Sequence, residues 1–382
     1  MSAPLRLAMR PFGVSVFTRL TELANRHGAV NLAQGFPDFL PPAFLVDAAG
    51  EAMARGMHQY APSVGYPALR AALAGHAREQ YGLDYDPDTE ITVTAGATEG
   101  MWSAATALLE PGDEAIVLEP YYETYPPCVA AAGGVTRFLP TYFPDFAVDL
   151  DRLAAMFNSR TRMVFLNTPG NPSGRLLGAT ELAAIGELAH RYDAYLLSDE
   201  TYEHVTFGDA RHVPVASIPQ CRERTVTVSS VSKTFSATGW RVGWVLAPPA
   251  VTEAVRRVHQ FVTFAAASPL QLAVAAMFEE AARTDYLVRL RADYTQRRDT
   301  LLGYLKQTDL VLAQPDGAYF IMGRCPGDDV AWCEELVTRR RVAAVPASAF
   351  YADREAGAGL VRFAFCKQLA TLNEAGTRLV AP

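Results

Sequence analysis

The sequence predicts an α/β fold: a large domain built on a mostly parallel central sheet, followed by a smaller α+β domain. Three observations predict it. From about residue 90, short apolar β-rich runs alternate with helix-like stretches, as in chains that build parallel sheets. Those runs are continuously apolar rather than alternating, which fits strands covered on both faces. After about residue 270 the style changes to long helical stretches followed by short β-rich pieces.

The elements follow in order. Pro41 and Pro42 break the chain after the glycine- and aromatic-rich QGFPDF (34–39). ITVT (91–94) reads as a strand leading into a helix at MWSAATALLE, and IVLE (116–119) as a strand leading to a second helix-like stretch that ends at Gly133 and Gly134. RMVFLN (162–167), the helical ATELAAIGELAHRY (179–192) and AYLLSDE (194–200) come next. TVTVSS (225–230) and GWVLA (243–247) complete the series. In the last third, FEEAARTDYLVRLRADYTQRRDTLLGYL reads as helix, followed by the β-rich DGAYFIM (316–322) and LVRFAF (360–365).

Composition narrows the function classes. The chain has 382 residues, half of them hydrophobic and a fifth charged, which is ordinary for a soluble globular enzyme. Lys plus Arg is 34 against 41 Asp plus Glu, a net charge of −7 that argues against a nucleic-acid surface. No apolar run approaches the roughly 20 residues that span a bilayer. The opening MSAPLRLAMRPFGVSVF lacks an apolar core with a small-residue cleavage site, so no signal peptide is read and a cytoplasmic location is expected. Five cysteines (Cys128, Cys221, Cys325, Cys333, Cys366) are scattered without a CxxC pair, and the seven histidines form no HxxxH or HExxH, so no metal is expected.

Ligands of open parallel sheets bind beyond the carboxyl ends of strands, so the residues at those ends carry the functional signal. After ITVT, the turn AGATEG (95–100) opens a helix whose first N–H groups suit an anion. After IVLE, EPYYETY offers Tyr121, Tyr122 and Tyr125, each readable as a core aromatic or as a platform for a flat ligand. After RMVFLN, Asn171 reads as a turn residue or as an amide donor to a ring hydroxyl. Asp199 ends an apolar strand, where a carboxylate either caps a helix or faces a cationic nitrogen. After TVTVSS come Ser230, Ser232 and Lys233, with Arg241 eight positions on. Arginine suits phosphate, and a desolvated lysine near a cation loses its proton and can attack a carbonyl carbon. Each feature alone is ordinary. Together they describe a phosphorylated pyridine with a ring hydroxyl, a ring nitrogen and an aldehyde, which is pyridoxal 5′-phosphate.

The motifs NTPGNPSG, DETY, SVSK and Arg241, in that order, resemble the fold-type I, class I/II aminotransferases. QGFPDF, QYAPSVGYPALR, SKTFSATGWRVGW and VPASAFYAD are similar to the branch holding kynurenine aminotransferase (glutamine transaminase K) and bacterial methionine aminotransferase. The resemblance implies a large cofactor-binding domain over 41–274, a small domain over 275–382, and residues 1–40 joining the small domain. It implies that Lys233 bonds the cofactor aldehyde and shuttles the proton, that Asp199 faces the pyridine nitrogen, and that Asn171 and Tyr202 hydrogen-bond the ring hydroxyl. Tyr122 would stack on the ring. The backbone of Ala97 and Thr98, with Ser230 and Arg241, would hold the phosphate. Tyr60 would reach the phosphate of a neighbouring subunit, which implies a homodimer. Arg362 would clamp the substrate carboxylate, assisted by Gly35 and Asn171, with Phe17 and Phe264 in the side-chain pocket.

The implied reaction moves an amino group from a bulky neutral amino acid (methionine, glutamine or an aromatic one) to a 2-oxo acid, with ping-pong kinetics. Two positions depart from the kynurenine-type pattern: Ala265 stands in place of histidine and Thr98 in place of tyrosine. Both point toward methionine and similar donors. Kynurenine–oxoglutarate transamination and β-elimination from cysteine S-conjugates stay open as alternatives. A regulatory binding module of the same fold would need an attached DNA-binding domain, and the family pattern already begins by about residue 14.

Overall fold

The computed structural model describes residues 7–13 and 16–381; residues 1–6, 14 and 15, part of the stretch on which the absence of a signal peptide was read, lie outside it. In chain order the elements begin with α1 (Val16–His27), β1 (Val30–Asn31), α2 (Ala43–Ala54), α3 (Pro67–Tyr81), β2 (Ile91–Thr94), α4 (Ala97–Leu108) and β3 (Glu114–Glu119). Next come α5 (Tyr125–Ala132), β4 (Val135–Pro140), α6 (Leu150–Met156), β5 (Thr161–Asn167), α7 (Ala179–Arg191), β6 (Tyr195–Asp199), β7 (Thr225–Ser230), α8 (Val231–Thr234) and β8 (Gly243–Leu246). The remainder is α9 (Pro249–Val262), α10 (Ser268–Arg283), α11 (Tyr286–Leu305), β9 (Val311–Leu312), β10 (Phe320–Arg324), α12 (Asp329–Glu335), β11 (Val342–Ala343), β12 (Val345–Pro346), β13 (Leu360–Ala364) and α13 (Leu369–Val380).

Seven strands form the central sheet in the order β2-β8-β7-β6-β5-β3-β4. All neighbours are parallel except where β8 runs antiparallel to both β2 and β7. The inner strands are buried along their length because helices cover both faces, which is why their sequences read as unbroken apolar runs. The edge strand β4 gave no such signal. Its first four residues, Arg137 and Thr136 among them, alternate between exposed and half-buried, and only Leu139 is buried.

Local chemistry sets the helix ends. Pro67 opens α3 and Gly82 closes it in a left-handed conformation, φ 66°. Glu181 reaches back from the first turn of α7 to the Gly178 N–H. The stretch read as one helix from Phe278 onward is two: at Thr284 the backbone is extended and the hydroxyl donates to the Glu280 carbonyl at 2.8 Å, ending α10 before α11 begins.

A second, antiparallel sheet has the order β12-β13-β10-β9. The N-terminal segment reaches this region through β1, which pairs in parallel with β11, Val30 opposite Val342. Leu32 and the small-sheet residues Phe320 and Phe363 share one buried cluster. α10 runs unbroken across residues 274 and 275, the expected domain boundary, and its Phe278 and Ala281 pack with Leu73 and Trp244 of the large sheet's side.

Candidate active site

Parallel strands β2, β3, β5, β6 and β7 bring their carboxyl ends to one edge of the central sheet. The antiparallel β8 begins at that edge: Gly243 lies opposite both Thr94 and Ser230. Arg241, two residues before Gly243, is thereby brought beside the turn that follows β2. A cavity of about 280 Å³ opens at this edge. Ala97, Thr98, Tyr122, Asn171, Asp199, Tyr202, Ser230, Lys233 and Arg241 line it from the sheet side. Phe17, Gly35 and Arg362 line it from the N-terminal segment and the small sheet.

One end is built for an anion. Gly96 precedes α4 with φ 83°, so the helix presents the N–H groups of Ala97 and Thr98. A side chain on Gly96 would run into the Arg241 guanidinium, and one on Gly243 would run into the Gly96–Ala97 backbone. Arg241 itself takes a left-handed φ of 51° and donates from Nη1 to the Thr238 carbonyl at 3.2 Å. Ser230 Oγ accepts from the Ser232 N–H at 3.4 Å, and Ser232 Oγ is buried with no hydrogen-bond partner among the described residues. An orphaned buried hydroxyl beside an arginine and a helix N-terminus fits a phosphate.

The centre holds the titrating groups. Burial lowers the Lys233 pKa to about 8, while Asp199 pulls it back up. Its Nζ lies 5.5 Å from the ring centres of Tyr202 and Tyr319. Asp199 is buried, and desolvation raises its pKa against the pull of its hydrogen bonds. Tyr125 donates to its Oδ2 at 2.8 Å, and Thr201 donates to Oδ1 from Oγ1 at 2.9 Å and from N–H at 3.2 Å. Burial likewise pushes the Tyr202 hydroxyl well above its ordinary value.

The other end holds a buried arginine. Arg362 is 1 % exposed, and burial lowers its pKa to about 10. Its Nη1 donates to Asn171 Oδ1 at 2.8 Å and its Nη2 to the Ala33 carbonyl at 2.6 Å. Among the described residues its Nε has no hydrogen-bond partner. The Phe320, Phe17 and Phe350 rings lie 4.1, 4.9 and 5.0 Å from the guanidinium carbon. Because Asn171 Oδ1 is engaged by Arg362, its amide nitrogen is left for another partner.

The sequence model of the aminotransferases of class I and II matches residues 27–379. The chain belongs to that family. A solved methionine aminotransferase from Escherichia coli superposes with a TM-score of 0.95 at 39% identity, over 99% of this chain and 100% of that one. A probable N-succinyldiaminopimelate aminotransferase of Mycobacterium tuberculosis is 41% identical over 97% of this chain and 96% of its own. Human kynurenine–oxoglutarate transaminase 1 is 33% identical over 95% of this chain and 94% of its own. This aminotransferase is of fold type I and uses pyridoxal 5′-phosphate. The orphaned Ser232 hydroxyl, the Gly96 cradle and the deprotonation-prone Lys233 fit that cofactor.

Two expected residues of the aminotransferase lie elsewhere. Tyr60 is 84 % exposed and meets Phe264 edge-on, ring centres 5.3 Å apart, outside this cavity. Phe264 is therefore not a wall of this chain's own pocket. The three tyrosines after β3 divide: Tyr122 faces the cavity, Tyr121 stacks on Phe138, and Tyr125 holds Asp199. Sequence reasoning had Tyr125 only as one of three aromatics, and it missed Thr201, Phe320 and Glu123 on the same cavity. Thr201 carried a signal: a hydroxyl two residues after a strand-ending aspartate is placed to fold back on it.

Proposed function

We propose that the chain transfers the amino group of a bulky neutral amino acid, with methionine the foremost donor, to a 2-oxo acid. The observation that carries the choice is the cation count. Lys233, Arg241 and Arg362 are the only cations lining the cavity among the described residues. Lys233 and Arg241 serve the cofactor and Arg362 the α-carboxylate, so this chain offers its own cavity no further cation for a distal carboxylate, and Glu123 adds negative charge. That disfavours aspartate and glutamate, and the succinylated substrate named for the mycobacterial relative.

When bound, pyridoxal phosphate supplies an electron sink for the electrons released at Cα. The protein's part is positional and acid–base. Ala97, Thr98, Ser230 and Arg241 would hold the phosphate, Tyr122 would cover the ring, and Asn171 and Tyr202 would donate to the ring hydroxyl. Asp199 would keep the ring nitrogen protonated. Lys233, whose pKa burial lowers to about 8, would accept the substrate Cα proton as a neutral amine and hand it on as the ammonium so formed. Arg362 grips the α-carboxylate with its fork and so aims the Cα–H at Lys233. Donor and acceptor use this one site in turn, which gives ping-pong kinetics.

Tyr60, Phe261, Val262 and Phe264 expose apolar surface, 84, 85, 61 and 45 % of each residue. A homodimer covers this face and carries Tyr60 and Phe264 to the partner's site; its solution mass is twice 41.5 kDa. We place the enzyme in the cytoplasm. The large unit runs from residue 41 to the end of α10, with 1–40 joined to the remainder. A donor-by-acceptor panel on the holoenzyme tests the reading. Methionine, glutamine and phenylalanine should each exceed aspartate and glutamate by about tenfold or more in kcat/KM. Preference for an acidic donor, or pyruvate and ammonia from an S-conjugate without need of a 2-oxo acid as the main reaction, overturns it.

A further inference from the structure

One residue beyond Tyr202 the chain turns away from the active site. Glu203 faces a separate small cavity shared with His76, Tyr81 and Ser229. His76 on α3 and the pair Glu203–His204 just beyond β6 bring one ligand atom each within 4.8 Å of the others. The two imidazole Nε2 atoms are 3.0 Å apart, and His204 Nε2 lies 3.7 Å from Glu203 Oε2. We infer that these three side chains form a site for a divalent transition-metal ion of the zinc type, separate from the cofactor. Sequence spacing gave no sign of it, because the two histidines are 128 positions apart.

The donor set is two imidazole nitrogens and a carboxylate oxygen, the combination zinc takes with a fourth, exchangeable ligand. Two ligands on a tetrahedral zinc sit about 3.4 Å apart, so the rings need to part by only a few tenths of an ångström. The carboxylate is already oriented: Tyr81 donates to Oε2 at 2.7 Å and Ser229 donates to Oε1 at 2.8 Å. Such outer hydrogen bonds are what fix a metal's ligands in place.

Charge points the same way. Among the described residues neither Glu203 nor its neighbour Glu200 has a lysine or arginine ion-pair partner; their partners are His204 and, at 2.7 Å, His212. A buried carboxylate without a cation is costly, and a dication supplies one. Access exists as well, since His76 also lines an outer groove between α3 and α10, beside Ala72 and Phe278. The ion would staple α3 to the segment that carries Asp199 and Tyr202.

The test titrates the holoenzyme, stripped by a chelator, with Co²⁺, whose four-coordinate form absorbs at longer wavelengths than the cofactor. The expected result is one Co²⁺ per chain, displaced by one equivalent of Zn²⁺. His76→Gln and His204→Gln should each weaken uptake by roughly a hundredfold or more, leaving cofactor absorbance and turnover in place. No stoichiometric uptake by the unaltered enzyme, or uptake unchanged in both variants, overturns the assignment. Zinc-soaked crystals of the unaltered enzyme decide it without a variant. An anomalous peak between His76 Nε2, His204 Nε2 and Glu203 Oε2 supports the site, and its absence there sinks it.

Discussion

The two ends of the cavity are made in different ways. The cofactor end is one edge of one sheet, where Asp199 and Ser230 end strands and Ala97, Tyr122, Asn171 and Lys233 follow strand ends, so the sheet's register sets the frame. The carboxylate end is a seam. Arg362 sits in β13 of the small sheet, its fork shared between Asn171 of the large sheet and Ala33 of the N-terminal segment, 329 positions away. A single sheet edge gives a rigid frame for chemistry that does not change between substrates. A seam between three segments gives a grip that forms only when all of them meet. The two ends should therefore fail differently.

The largest effect is expected at the cofactor end. Lys233→Ala removes both the covalent anchor and the base, and turnover should fall by roughly 10⁴-fold or more. Cofactor remains held through the phosphate cradle, with the absorbance of the lysine-bound form gone. The lysine's pH behaviour sharpens this. A lowered pKa means that the neutral amine predominates above pH about 8 rather than above the ordinary 10.5. In cofactor-free protein, hydride trapping of a small aldehyde on Lys233 should rise through pH about 8 and fall away below it, read by peptide mass. Trapping that rises only near the ordinary value would show that the site does not desolvate the amine.

Next in size is the seam. Arg362→Lys keeps the charge but loses the planar fork, leaving the Ala33 carbonyl and Asn171 Oδ1 short of donors. A loss of about 3 kcal/mol, roughly 10²-fold in kcat/KM, is expected, mainly as a raised KM. Cofactor retention and absorbance should not change. If the variant loses cofactor in proportion to activity, the two ends are one unit and the comparison fails.

The same contrast explains what could be read from the chain. Asp199 and Lys233 stood out because continuous apolar strands pointed to them, and buried parallel strands write that signal plainly. Arg241 needed the antiparallel sense of β8 to be placed, which no local pattern encodes. Arg362 lay in an apolar run like any other, and only the family resemblance gave it a role. Of the residues that hold others in place, Tyr125 showed only as one of three aromatics and Thr201 only by its spacing from Asp199, because their work is a hydrogen bond to Asp199. The edge strand β4 was missed for lack of a second covered face.

The smallest predicted effect tests that supporting layer. Tyr125→Phe keeps the ring, which packs 5.2 Å from Phe165, and removes one hydrogen bond to a buried carboxylate. Such a bond is worth about 1.5–3 kcal/mol, so a loss of roughly 10- to 100-fold in kcat is the upper range. Thr201 still donates twice, which favours the lower part of it. The hydrogen bond from Tyr125 stabilises the charged form of Asp199, against desolvation that raises its pKa. Removing it raises that pKa further, so the acidic limb of the kcat–pH profile should move to higher pH. A purely structural tyrosine would lower stability and leave the limb where it was. An unmoved limb with lowered thermal stability would therefore remove Tyr125 from the chemistry and return it to the core.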